Sequence, residues 1–136
     1  MVSMLVLALL LAQEDVAKSL QGAWAGERYT EGTGKDGAKG EKVQFSFKDG
    51  LLRGFKASGA LIGEATYTFE EGGKALDAAG TSGGYRGKTY LGLLKIEGDT
   101  LTWCVNGTAG KDRKRPGGFS ADPGAAVYLI VLKRKP

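Results

Sequence analysis

Hydrophobic and polar residues alternate with a period of two along most of this chain, and the alternation is repeatedly cut by glycine. Residues 42–48 show it most strictly. Val43, Phe45 and Phe47 fall on one face and polar side chains on the other, which predicts a half-buried β-strand. Asp49-Gly50 follows at once, a strong hairpin signal, and residues 51–58 return as the next strand. In 63–70, Ala65, Tyr67 and Phe69 share one face while Glu64, Thr66, Thr68 and Glu70 share the other. Further strands are predicted over 23–29, 74–79, 88–96, 100–105 and 125–133, with loops over 31–40, 81–87 and 106–124. The last strand is apolar on both faces. The one helical candidate is 14–20, one or two turns in which Glu14 and Asp15 precede Lys18 and Gly22 breaks the run.

Eight short strands with mostly tight connections predict a sandwich or a barrel. Sequential turns without a Greek-key crossover favour an all-β, up-and-down antiparallel barrel behind a short N-terminal helical turn. At 136 residues the chain fits one domain, and 23 glycines against 3 prolines suit many tight turns.

Residues 1–12 read differently. Val2 to Ala12 is apolar apart from Ser3, and no charged side chain occurs before Glu14. The run suits the core of a secretory signal peptide and is too short for a stable transmembrane span. The expected organisation is therefore a signal peptide over 1–12 and a barrel domain over 13–136, secreted or periplasmic.

Charge and chemistry narrow the function classes. The net charge of +4 is concentrated in Lys111, Arg113, Lys114 and Arg115 and in the terminal Lys133, Arg134 and Lys135. Two local clusters without interleaved aromatics do not form a nucleic-acid stripe. The first cluster is a solvated loop or a contact for a protein or anionic surface. With no His and a single Cys, the chain has neither an internal disulfide nor a Cys/His zinc cluster, and no cofactor or metal site is expected. Cys104 lacks a histidine base, so it reads as a small buried hydrophobe, with an intermolecular disulfide as the alternative. Glu64, Glu70, Glu71, Asp49 and Asp99 sit on polar faces or turns and form no converging acid pair. Gly32-Thr33-Gly34-Lys35 lacks the context of a phosphate loop. No enzymatic grouping emerges.

The aromatic set Phe45, Phe47, Phe55, Tyr67, Phe69 and Trp103 carries the remaining functional signal. Alternation aims most of these rings inward. They either fill the barrel solidly or line a small apolar pocket at the end opposite Trp24, with Tyr67 as its polar handle and room beside Gly54, Gly63 and Ala65. A non-catalytic binding module for a small apolar ligand and a solid-cored structural or interaction domain both remain open.

Gly22-Ala23-Trp24, opening the first strand after the helical turn, resembles the Gly-x-Trp of lipocalin-like barrels. That resemblance implies that Trp24 closes the barrel floor beside Gly22, and that a basic residue of the last strand, Lys133 or Arg134, packs across it. Nearly the whole chain after residue 13 also resembles a family of small uncharacterised, lipocalin-like (calycin-type) barrel domains of planctomycete bacteria. The matching stretches run from Leu20 to Trp24, through Gly87-Lys88-Thr89 and Gly92, Glu97 to Cys104, Arg115-Pro116-Gly117-Gly118-Phe119, and Leu132-Lys133-Arg134. The resemblance implies an exported barrel and brings no established activity or catalytic residue. Trp103 departs from it by standing where a smaller aliphatic residue is expected, which argues against a roomy cavity.

Overall fold

The computed structural model describes residues 4–33, 40–107, 114–122, 124 and 126–136, and for 4–11 the backbone alone. Helix α1 (Met4–Leu20) leads into eight strands: β1 (Gly22–Tyr29), β2 (Glu41–Lys48), β3 (Leu51–Lys56), β4 (Leu61–Glu70), β5 (Ala75–Gly83), β6 (Thr89–Glu97), β7 (Thr100–Asn106) and β8 (Val127–Arg134). Each strand pairs antiparallel with its sequence neighbour, and β1 pairs with β8, so the sheet closes into an up-and-down barrel with no free edge. The Asp49-Gly50 hairpin forms as the sequence predicts, with positive φ at both residues (49° and 86°).

Two boundaries move by more than two residues. The helix begins at Met4 rather than at residue 14, so Glu14 and Asp15 lie deep within it and no acidic residue occupies its first turn. From Met4 onward the apolar run that reads as a signal-peptide core is therefore helical, although side chains up to Leu11 lie outside the described residues. No described helix is long and apolar enough to cross a membrane. Strand β5 runs on through Thr81–Gly83, which the composition assigns to a loop. Pairing of Ser82 and Gly83 with Glu64 and Gly63 recruits these poor strand formers, and Ser82 Oγ donates to Glu64 Oε1 at 3.3 Å.

One end of the barrel is sealed. Helix α1 packs over a 3-10 turn at Glu71–Gly73, where Val16 meets the bare backbone of Gly73. The helix ends at Leu20, and Gly22 opens β1 with a φ of +120° that suits only glycine. Trp24 is fully buried and donates its Nε1 hydrogen to Leu20 O at 2.9 Å. Arg134 then covers the indole, its Cζ 4.2 Å from the ring centroid, a contact contributing about 0.5–2 kcal/mol. Its Nη1 and Nη2 donate to Gln21 O and Ser19 O at 3.1 and 2.7 Å, placing a cation on the helix C-terminus. Lys133 plays no part in this floor and donates instead to Thr100 Oγ1.

The doubly apolar character of β8 has a structural cause. Its inward face, with Ile130 and Leu132, joins the barrel core, while Val127 and Leu129 pack outside against Cys104, Ala121 and Phe119. Segment 114–122 thus lies over the outer surface of β7 and β8. Cys104 is a free, fully buried thiol beneath it. Burial pushes its pKa up, and its Sγ donates weakly to Ser120 O.

Arg115, read from sequence as a solvated or partner-binding cation, is a structural residue. The β5–β6 ladder is interrupted around Asp77 and Gly92. Arg115 bridges the gap, donating through Nη1 and Nη2 to the Asp77 carboxylate at 2.5 and 2.9 Å and through Nη1 to Gly92 O at 2.9 Å. This bidentate pair pins the 114–122 segment to the sheet. Lys114 accepts through its carbonyl from Asn106 Nδ2. Lys111 and Arg113 lie outside the described residues, as do Gly34 and Lys35 of the glycine-rich loop.

Candidate functional site

Inward-facing residues of the upper half of the barrel surround a cavity of about 450 Å3. Its walls are apolar: Val43 and Phe45 from β2, Leu52 from β3, Ala65 from β4, Val105 from β7 and Ile130 from β8. It opens at the end opposite Trp24 and α1, beside Arg28, Glu41, Lys56 and Lys88.

Trp103 ends the cavity below. Its ring stands edge-on to Phe45 and Phe47, with centroids 6.5 and 6.4 Å away, and its Nε1 donates to Leu76 O at 3.0 Å. That carbonyl belongs to the interrupted part of the β5–β6 ladder, so the indole supplies a donor that no backbone amide provides there. Gly92 gives the ring its space, because a Cβ there would lie 2.4 Å from Trp103 Nε1. Below Trp103 the barrel is packed. Phe47 meets Tyr67 edge-on at 5.5 Å, and Tyr67 meets Phe69 at 6.0 Å. Cavity and solid core therefore coexist, one above the other.

The six aromatic candidates separate accordingly. Phe45 and Trp103 line the cavity. Phe47, Tyr67 and Phe69 belong to the packed half. Tyr67 is no polar handle, since its hydroxyl accepts from Gln21 Nε2 at 3.1 Å at the sealed end. Phe55 is half-buried and outside the interior cluster, because Leu52 and Gly54 hold the inward positions of β3 and residue 55 is one step out of phase. The room expected beside Gly54 and Gly63 is taken by Tyr85, and a Cβ at Gly54 would lie 2.0 Å from its hydroxyl oxygen.

The polar groups of the cavity are residues that the sequence reading passed over. Arg28, Glu41, Lys56, Lys88, Tyr85, Tyr90 and Tyr128 surround the mouth. Arg28 and Glu41 are directly opposed across β1 and β2, with Nη2 2.7 Å from Oε2. The guanidinium also stands over the Tyr128 ring at 5.0 Å, and its Nε is buried with no acceptor among the described residues. Their inward orientation was available by counting two-residue steps from Trp24 to Arg28 and from Val43 back to Glu41.

Tyr85 and Tyr90 stack edge-on at 6.2 Å. Burial pushes the Tyr85 phenol up to about 12 and also raises that of Tyr90. A raised acid pKa favours the protonated, folded state. The associated stability is present below the ordinary tyrosine value of about 10 and is lost as pH climbs through the folded value. Titration of phenolate absorbance in the native protein should show a late component approaching pH 12, and Tyr85→Phe should remove it. If every tyrosine of the folded protein ionises together near the ordinary value of about 10, Tyr85 is not seated in the mouth.

Among the described residues no three His, Cys, Asp or Glu side chains gather as a metal site. Glu64 is tied to Arg53 at 2.9 Å, away from the cavity. No protein-family model, no curated protein and no solved structure matches this chain.

Proposed function

We propose that this protein is a non-catalytic binding module that holds one small apolar molecule in the open half of its barrel. The observation that carries the reading is the cavity of about 450 Å3 above Trp103, walled by apolar side chains and open at one end. Pockets for small molecules span about 300–1,000 Å3, so the volume is sufficient for a compact ligand. The packed lower half, with Phe47, Tyr67 and Phe69, favours the competing reading of an interaction domain that needs no ligand.

Titration with an apolar fluorescent probe separates the two. Binding at one probe per chain is expected. Ala65 is fully buried and faces the cavity, so Ala65→Phe should fill it and abolish binding while the barrel persists. Val105→Phe does the same from the opposite wall should Ala65→Phe overpack. Absence of binding to the native protein, or equal binding by a folded filled variant, gives the interaction-domain reading precedence.

A further inference from the structure

Resting on that reading, we infer that the ligand is an amphiphile of medium length with one anionic head, its tail directed at Trp103 and its head at the mouth beside Arg28, Lys56 and Lys88. The lining changes character along the barrel axis. Phe45, Leu52, Ala65 and Ile130 offer only carbon to a ligand, whereas the rim offers charge. A ligand that is apolar throughout leaves the rim unused, and a wholly polar one desolvates against the walls.

The rim charge has a sign. Among the described residues, three cations line the mouth against one carboxylate, Glu41. Glu41 engages Arg28, while neither Lys56 nor Lys88 has a carboxylate within ion-pair distance among the described residues. Lys56 is directly opposite inward-facing Val43, which puts it on the inner side of the rim. Arg28 adds an unmet demand. Glu41 satisfies Nη2, but Nε is buried without an acceptor. Buried guanidinium donors are ordinarily hydrogen-bonded, and a carboxylate or sulfate head supplies the missing oxygen. Tyr90 and Tyr128 add hydroxyls around the same opening. Within the cavity volume, the tail is one of medium length rather than that of a long membrane lipid.

The test compares three probes with the same ten-carbon tail on the full chain: decanoate, decanol and decyltrimethylammonium, each below its aggregation threshold. Decanoate should bind about tenfold more tightly than decanol at low salt, with the ammonium weakest, and the gap should narrow as salt screens the rim. The double variant Lys56→Met/Lys88→Met, at exposed positions, should weaken decanoate by about three- to tenfold and leave decanol unchanged. Arg28→Met frees Glu41 and leaves Lys56 and Lys88 as the cations of the mouth, so it should narrow the gap between decanoate and the ammonium without reversing their order. Equal affinity for decanoate and decanol, or a lysine variant that weakens both alike, overturns the anionic head and leaves the cavity reading intact. Failure of all three probes to bind removes the inference together with the proposed function. Decyl sulfate in place of decanoate then distinguishes a general anion site from one shaped for a carboxylate.

Discussion

Replacing Trp24 by alanine should destabilise the protein by about 3–5 kcal/mol, a large share of the roughly 5–15 kcal/mol that holds a domain of this kind together. The indole is wholly buried at the sealed end, so its removal leaves a void that helix, strand and arginine cannot all collapse into. The loss is compounded locally. Leu20 O loses its donor, and Arg134 loses the ring beneath it while still bound to the helix carbonyls. Arg134→Met should cost less, because it opens no buried void and removes a cation–aromatic contact of about 0.5–2 kcal/mol together with two partly exposed hydrogen bonds to Ser19 O and Gln21 O. Equilibrium denaturation of both variants checks the ranking. A Trp24→Ala loss below about 1 kcal/mol would mean that the floor is not part of the cooperative core.

Trp103→Leu should cost about 2–4 kcal/mol and deepen the cavity at the same time. Truncation removes the edge contacts with Phe45 and Phe47 and strips Leu76 O of its donor at a place where the ladder offers no other. It also removes the partition between the open and packed halves, extending the space toward Phe47. Binding of a graded series of linear alcohols should then shift toward longer chains. A stability loss with no change in chain-length preference shows that Trp103 supports the wall without setting its depth.

The barrel was legible because period-two alternation and glycine turns are local signals, and strands such as 42–48 carry both. The cavity was only half legible, for a different reason in each residue. Phe55 was grouped with the interior by side-chain type, although Leu52 and Gly54 fix the opposite phase. Tyr67 has the right phase but the wrong height along the axis, which depends on strand tilt and on the helix that reaches its hydroxyl. Arg28 and Glu41 have the inward phase too. Charge ordinarily signals an outer face, yet at the mouth of a barrel the inner face is itself solvated. Tyr85 fills the space over Gly54 and Gly63 from a connecting loop, where alternation says nothing. Arg115 finds Asp77 at a sequence separation of 38 residues, and no pattern in either segment announces the pairing. The resemblance to lipocalin-like barrels pointed to a basic residue over Trp24, and Arg134 fills that place.

Seven of the eight strand pairings join neighbours in sequence, five of them across short turns and two across the longer connections 30–40 and 107–126; the eighth, β1 with β8, joins the two ends of the barrel. Nearly all the long-range ordering cost of the circle falls on that one seam. The register at the seam sets Trp24 against Arg134, and Arg134 in turn holds the end of the helix. Stitching the cylinder and corking its base are consequently a single event. A chain with the seven neighbour pairings made and the seam open has no bottom, and its interior is wetted from both ends.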